Sequence, residues 1–385
     1  MTLARPHLSI AVILLATIVL GSITGYSWTL FSLQLEQAQV PTQWIGYAGT
    51  AQLAAIVLIT NLLPRFLYKS NLFHLHLLAS AAGILAYIGL SMVGNAMLLH
   101  IPLRLLLGCG MSGTYILYEY WLNSSVNDTH RGKVMALYCT CVVIGMSAGP
   151  MLVPLLQDNA QYLYVLGMIL FAITACCVFS VRNHRPKIHE APPSASPWGI
   201  IFLSPTVAVI ALMFGITESS YWSFMTIYGL RNGLTVENAA LLLSLISMGG
   251  MAMQLPMGYL ADKLSPRFTV LLATGVGAAG GMVLPYLIST PDISLWLYMF
   301  LWGGTMTTIY TCAIILLGHE HKAANLANAT LAFQMMYGTG NIFGPIITAN
   351  SIETIGTSAV PWVMGLACSI TFVFTAWRSI KRKHQ

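Results

Sequence analysis

Apolar runs alternate with short polar or proline- and glycine-containing breaks along the whole chain. An α-helix needs about 20 mainly apolar residues to cross a bilayer, and windows of that length recur twelve times. The predicted spans are 8–32, 43–63, 72–95, 97–121, 133–156, 160–181, 203–229, 236–260, 267–289, 293–317, 324–350 and 358–379. The pattern therefore predicts an all-α membrane protein with twelve transmembrane helices.

The first apolar run extends from Leu8 to Leu33, which is too long for the apolar part of a signal peptide, so we interpret it as a span. If the chain begins in the cytoplasm, all but two of the 17 lysines and arginines fall in cytoplasmic segments. The exceptions are Arg231, in an outer loop, and Arg104, inside a span. This bias predicts a multi-pass protein of a bacterial cytoplasmic (inner) membrane with both termini in the cytoplasm.

The two halves of the chain repeat at a nearly constant offset. Gly108 and Tyr115 match Gly303 and Tyr310. The glycine-proline segment Gly145, Gly149, Pro150 recurs as Gly340, Gly344, Pro345. We therefore predict a six-helix bundle in residues 1–181, a cytoplasmic linker in 182–199 and a second six-helix bundle in 200–385. Two related bundles that rock around a central site are typical of secondary transporters.

Composition excludes several classes of protein. Hydrophobic residues make up 57% of the chain and charged residues 7%, whereas soluble domains carry about 25% charged residues. The net charge of +6 comes from single basic residues between apolar runs, so we predict no nucleic-acid partner. The seven cysteines all lie in apolar segments, and we interpret them as small packing residues.

Motifs for enzymes, metals and cofactors are weak or missing. The segment Gly110-Met-Ser112-Gly113 matches a short serine-protease pattern, but we expect no buried histidine to act as its base. There is no zinc motif and no phosphate-binding glycine loop. We therefore predict no catalytic residue, no metal site and no cofactor, and an ion gradient, most simply of protons, as the driving force.

Three motifs resemble those of the major facilitator superfamily, and the resemblance covers essentially the whole chain. Residues 258–267 are similar to the loop motif G-x-x-x-D-[RK]-x-G-[RK]-[RK], and residues 104–110 resemble the fourth-helix motif R-x-x-x-G-x-G. Residues 145–150 resemble the G-x-x-x-G-P core of the fifth-helix antiporter motif. Within the superfamily, residues 115–133 and 303–310 look most like the YcaD-type branch.

The resemblance implies the major facilitator fold and secondary active transport of a small organic solute by alternating access. The antiporter motif favours export, but Val153 and Pro154 replace its trailing glycine pair. Proton-coupled uptake of a nutrient or siderophore-like metabolite therefore stays open, as does a receptor that binds without transport. Residues 63–69 lack the acid and glycines of the loop motif, which puts a first-half gate in doubt. We expect a monomer whose partners are the solute, the proton and the lipid bilayer.

Charge inside a membrane span is costly and marks function. Arg104 can bind an anionic group or assist a carboxyl group, and the resemblance implies a part in proton coupling; fastening helix 4 to a neighbour is the alternative. Glu119 lies roughly 22 Å further along the same helix, so we interpret it as a separate gate or loop anchor with Arg131 or Lys133; chemistry in the cavity is the alternative. Glu218, midway along the seventh span, is the predicted proton-coupling or substrate-binding acid. A permanently protonated, hydrogen-bonded Glu218 is the alternative.

An aromatic lining with a few polar groups is predicted around Arg104 and Glu218, and it suits an amphipathic or aromatic solute. Its members are Thr24, Trp28, Tyr115, Tyr118, Trp222 and Tyr310. Ordinary packing is the alternative for any one of them. The loop acid Asp262, with Lys263 and Arg267, predicts a second cytoplasmic gate or else a solvated loop. The repeated glycine-proline segments predict a hinge or close packing where the bundles meet.

Overall fold

The computed structural model describes residues 5–67, 70–94, 96–126, 128–157, 159–184, 205–320 and 324–383. These residues form twelve α-helices, and no strand occurs among them. The helices are α1 Arg5–Gln37, α2 Thr42–Leu67, α3 Leu72–Val93, α4 Met97–Ser125, α5 Asp128–Ala148, α6 Ala160–Ser180, α7 Pro205–Arg231, α8 Val236–Lys263, α9 Pro266–Leu287, α10 Ile293–Glu320, α11 Ala324–Ile355 and α12 Ala359–Lys383. Each overlaps one predicted span, so the all-α prediction is confirmed.

Ten of these helices, all except α2 and α11, are long and apolar enough to cross a membrane. Their outer faces carry large apolar side chains, such as Met92, Leu255 and Tyr286, that are mostly exposed. Apolar surface on this scale is unfavourable in water and favourable in lipid. The protein is therefore a multi-pass membrane protein.

Local sequence determines where several helices begin and end. Asn71 and Asn159 cap α3 and α6, because each side chain accepts a hydrogen bond from a backbone N–H at 3.0 Å. Ser265 caps α9 in the same way at 3.1 Å, with Pro266 at the first helical position. The fifth span differs from its prediction: α5 ends at Ala148, and short 3₁₀ turns at Gly149–Leu152 and Pro154–Leu156 follow. Pro150 and Pro154 lack the N–H that a continuing α-helix needs.

The chain divides into two compact units. The first contains Met1–Gln34 and Ala51–Pro193, and the second contains Leu35–Thr50 and Ser194–Gln385. The end of α1 and the start of α2 thus belong to the second unit. Residues 185–199 of the predicted linker lie outside the described residues.

Glycines allow close helix packing inside each unit. A Cβ atom added at Gly145 of α5 would lie 2.8 Å from the Cα of Gly21 of α1. In the second unit, a Cβ atom at Gly340 of α11 would lie 2.1 Å from the carbonyl oxygen of Leu212 and 3.0 Å from the Cα of Gly215, both of α7. Separations below about 3 Å are not found for real side chains, so only glycine permits these contacts. The repeated glycines therefore pack α1 on α5 and α7 on α11, within each unit, and a hinge function stays a prediction.

Candidate functional site

Glu218 is the central residue of the 27-residue helix α7. At 1.5 Å per residue, each end of the helix is about 20 Å away. α7 packs on α11, and the two helices run in the same direction, because Gly344 contacts Ser219 and Thr348 bonds to Ser220 at 2.7 Å. This packing brings Tyr337 of α11 to the side chain of Glu218.

The carboxyl group of Glu218 is surrounded by neutral hydrogen-bond donors. The hydroxyl of Tyr337 donates to Oε2, and the hydroxyl of Tyr221 lies 3.5 Å from Oε1. The indole of Trp222 also bonds to this carboxyl group. Among the described residues, no lysine or arginine forms an ion pair with Glu218. The group therefore has donors for its oxygens but no cation to balance a negative charge.

Four aromatic rings from three helices pack beside Glu218, and we call them the aromatic cluster: Phe214, Tyr310, Phe333 and Tyr337. Phe214 stacks on Tyr337 with ring centroids 6.0 Å apart. Tyr310 meets Tyr337 and Phe333 edge to face, at 5.4 and 5.2 Å. Glu218, Tyr310 and Tyr337 are half-buried rather than fully enclosed. Two rings of the cluster and the carboxyl group are therefore partly accessible, whereas Phe214 and Phe333 are buried.

Arg104 lies in the first unit and is only 3% exposed. Its guanidinium carbon is 4.3 Å from the ring centroid of Phe31 and 5.2 Å from that of Trp28. Tyr87, Tyr164 and His100 are ionisable groups that interact electrostatically with it. The Nε and Nη1 atoms are buried without a hydrogen-bond partner in the described part of the chain. Aromatic faces attract this cation, and its unpaired N–H groups are donors that an anion or a water molecule could accept from.

Two other predicted lining residues in the first unit bond to each other. The hydroxyls of Thr24 and Tyr115 are 2.9 Å apart and half-buried. Gln52, which the sequence reasoning missed, donates to Ser27 at 3.2 Å beside Met111. A glutamine in the apolar run of α2 was the available signal, because amides are costly in a span.

Tyr118 lies elsewhere. It is 1% exposed, and its ring stacks on His76 of α3 at 5.2 Å. His76 also contacts the carbonyl of Thr174 at 3.3 Å and the hydroxyl of Ser80 at 3.4 Å. Tyr118 is therefore a packing residue of the α3–α4–α6 core in this structure, away from the Thr24–Tyr115 pair.

The expectation that no histidine is buried is wrong. His76 and His100 are 1% and 3% exposed and lie within α3 and α4. His100 contacts the carbonyl of Gly94 at 2.8 Å. In the described residues, the hydrogen bonds of both histidines join them to groups other than Ser112. Neither histidine is therefore placed to act as a base for the serine-protease pattern.

The predicted gate residues occupy exposed positions. Glu119 is exposed on α4 and lies near Tyr138 and Cys139 of α5. Arg131 is exposed two turns before Tyr138, near the start of α5.

Asp262 and Lys263 are exposed at the end of α8, and the Lys263 ammonium lies 4.8 Å from the ring centroid of Tyr259. Arg267 is half-buried in the first turn of α9. Their gate function stays a prediction.

Comparison with known proteins assigns this architecture. The sequence profile of the Major Facilitator Superfamily matches residues 7–345. The chain is 23% identical over 282 residues to the MFS-type transporter YfkF of Bacillus subtilis, covering 69% of each chain. It is 24% identical over 354 residues to the MFS-type transporter Ent638_1421 of an Enterobacter strain, and 23% over 354 residues to YcaD of Salmonella arizonae; each match covers 90% of this chain and 88% of the relative.

Solved structures show the same fold. A mutant of the nucleoside transporter NupG aligns with a TM-score of 0.82 at 15% identity, covering 96% of this chain and 99% of that one. NupG itself aligns with a TM-score of 0.77 at 14% identity, covering 97% and 98%. The predicted resemblance to the superfamily and to its YcaD-type members is confirmed. The matched profile covers well over half of the sequence, and the chain belongs to the major facilitator superfamily.

Proposed function

We propose that this protein is a secondary active transporter that moves a small organic solute by alternating access, with Glu218 as the proton-coupling acid. The observation that carries the proposal is the position of Glu218, at the middle of α7, where its hydrogen-bond donors among the described residues are all neutral. A carboxyl group without a fixed countercharge can exist both ionised and protonated. It can therefore take up a proton in one conformation and release it in another.

The site is suited to an organic solute. The half-buried ring of Tyr337 lies against the carboxyl group with Tyr310 next to it, and Gln334 donates to the hydroxyl of Tyr310 at 2.8 Å. Apolar walls with a few polar groups are typical of small-molecule sites. We extend the proposal to a bacterial cytoplasmic membrane, with both termini inside. In that orientation the exceptional outer residue Arg231 has its charge balanced by Glu36, which supports the assignment.

Export is the favoured direction, because residues 145–150 resemble the antiporter motif. Uptake by symport would couple the same acid to inward movement of the solute. The two directions differ in one measurement: an imposed pH gradient drives an antiporter's solute against the proton flow and a symporter's solute along it.

The test begins with a ligand screen by thermal shift on the purified protein, followed by flux of each hit into proteoliposomes with an imposed pH gradient. We expect flux that stops when the gradient is collapsed, and Glu218→Gln to lose the pH dependence. Glu237→Gln removes an exposed acid at the start of α8 and is the matched control. Full pH dependence in Glu218→Gln would remove Glu218 as the coupling acid. Binding without flux for every hit would instead support a receptor.

A further inference from the structure

We propose that the site at Glu218 binds an organic cation, a lipophilic amine or quaternary ammonium or phosphonium compound, through the carboxylate and the aromatic cluster. This inference rests on the proposed function, because it names the class of solute that the transporter takes. Three features of the second unit support it: the unbalanced carboxyl group, the arrangement of the rings, and the absence of a competing cation among the described residues.

The carboxyl group retains capacity for a ligand. An ionised carboxylate has about four acceptor positions. Tyr337 and Trp222 occupy some of them, and the contact from Tyr221 is long at 3.5 Å. Neutral donors stabilise a buried carboxylate less than a nearby cation does, because an opposite charge adds a Coulomb attraction that is strong where water is excluded. A bound ammonium or phosphonium charge would supply what this site lacks.

The rings supply the second attraction. The π-face of an aromatic ring is negative and attracts a cation within about 6 Å. Phe214 and Tyr337 are nearly parallel, with 17° between their planes, while Tyr310 stands at 67° to Tyr337. Tyr337 therefore lies directly against the carboxyl group, and the partly accessible ring of Tyr310 lies next to Tyr337. An anionic solute would be repelled by Glu218 and by the ring faces, so this site selects against it.

The groups that face Glu218 among the described residues are neutral, so a proton and a ligand cation would compete for its carboxylate. On α7 itself these groups are Tyr221 and Trp222, and on α11 the facing group is Tyr337, with Tyr310 of α10 behind it.

Among the described residues, the other two helices packed on α7 bring no carboxylate or basic side chain to Glu218. On α12 the thiol of Cys368 bonds to Thr217, and α8 has no ionisable side chain between Glu237 and Tyr259. Glu218 is thus the acid that binds either H⁺ or the ligand cation. Each bound cation should release one proton, which is the exchange that an antiporter requires.

Tetraphenylphosphonium and tetraphenylborate provide a test with nearly the same shape and opposite charge. We would measure binding of each radiolabelled ion to the purified full-length protein by equilibrium dialysis in a neutral detergent, between pH 6 and 8.5. Binding to empty micelles is subtracted. We expect saturable binding of the cation, with a Kd at least tenfold lower than that of the anion. Below the pH range in which Glu218 ionises, the Kd of the cation should rise tenfold for each unit by which the pH is lowered.

The variants separate the contribution of the Glu218 charge to cation binding from that of the Tyr310 ring. Glu218→Gln should weaken cation binding at least tenfold at pH 8 and remove its pH dependence, while Glu237→Gln should bind like the wild type. Tyr310→Leu should weaken cation binding about two- to thirtyfold, and Tyr310→Phe, which keeps the ring, should not. Helical content by circular dichroism confirms that each variant is folded. If Glu218→Gln is unstable, the Tyr310 pair still tests the aromatic contribution.

Several results would overturn the inference: no saturable binding of the cation, equal binding of both ions, or wild-type binding by a folded Glu218→Gln. Failure here and failure of the proposed function are distinguishable. Proton-coupled flux of a neutral or anionic hit that depends on Glu218 would reject the cation and keep the transporter. Glu218-dependent cation binding with no proton-driven flux would keep the cation site and reject the proton-coupled transporter.

Discussion

The second unit contains an ion pair between Arg231, at the end of α7, and Glu36, near the end of α1. The guanidinium binds both carboxylate oxygens, with Nε 2.6 Å from Oε1 and Nη2 2.8 Å from Oε2. Nη2 also lies 3.2 Å from the hydroxyl of Thr42. This pairing predicts that Glu36 and Arg231 stabilise the protein jointly.

The magnitude follows from geometry and exposure. Hydrogen bonds to charged groups contribute about 1.5–3 kcal/mol each when shielded, whereas fully exposed ion pairs contribute about 0.2–1 kcal/mol. The side chains of Arg231 and Glu36 are 27% and 16% exposed, between these limits. The bidentate geometry holds both groups in one arrangement. We therefore expect a coupling free energy of about 1–2 kcal/mol for this pair.

A double-mutant cycle measures this coupling. The variants are Arg231→Gln, Glu36→Gln and the combination, each unfolded by sodium dodecyl sulfate in mixed micelles and followed by far-UV circular dichroism. Each single change should lower the free energy of unfolding by more than half of the coupling free energy. Adding the second change should then lower the free energy of unfolding only a little further. Arg231→Lys keeps the charge but loses the planar fork, so it should retain only part of the coupling. Salt at 1 M should weaken the coupling, because the Debye screening length falls to about 3 Å at that ionic strength.

Two results would refute this reasoning. A coupling below about 0.3 kcal/mol would mean that the two side chains contribute independently. An exchange of the charges, with Arg at 36 and Glu at 231, tests whether attraction is the cause: it should recover part of the stability lost in Arg231→Glu alone. No recovery would leave packing around Arg231 as the explanation.

Three further predictions concern packing and topology. Gly145→Ala places a Cβ atom against the backbone of α1 and should cost about 1–3 kcal/mol; Gly258→Ala, where nothing lies within 4 Å, should be neutral or stabilising, and equal effects in chemical unfolding would contradict the packing argument. Tyr118→Phe removes a buried hydroxyl whose contact with Thr174 is too poor in geometry to count as a full hydrogen bond, so it should change the free energy of unfolding by no more than about 1 kcal/mol; a larger loss in chemical unfolding would show that the hydroxyl makes a stronger bond. A fluorescent protein fused after the last residue should mature in the cytoplasm, and activity of a periplasmic reporter there instead would reverse the proposed orientation.

The helices could be predicted because a bilayer imposes one length and one composition on every span. The errors lie where local chemistry competes with that rule. Pro150 and Pro154 interrupt the fifth span, although its apolar composition continues. The glycine segments were identified correctly as repeated, but their partners could not be known. A glycine pair indicates only that something approaches closely, and the structure identifies Gly21 as the neighbour of Gly145.

In the candidate site, Glu218 and two of its aromatic neighbours, Trp222 and Tyr310, were predicted from the sequence, as was the separate buried cation Arg104. Glu218 and Arg104 stand out because ionisable groups are rare in spans. Tyr337 and Phe214 were missed, because aromatic residues in apolar helices usually belong to the core or the membrane interface. A signal was present for Tyr337, which lies one turn before Gly340 on the face that packs against α7. Only the pairing of α7 with α11 shows that this face leads to Glu218.

Comparison of equivalent positions in the two units separates residues needed for helix packing from residues with a chemical role. Gly21 and Gly145 in the first unit occupy positions equivalent to Gly215 and Gly340 in the second, and both pairs make the same close contact. Each unit must pack its own first and fifth helices, so the glycines are needed twice. The charged positions are not duplicated.

The residue equivalent to Glu218 is Thr24, and the residue equivalent to Arg104 is Met299. A charge in a span is costly wherever it stands, so a residue needed only for helix packing would not have to be charged in one unit alone. The unmatched positions are therefore the ones at which substitution should change binding or coupling more than folding.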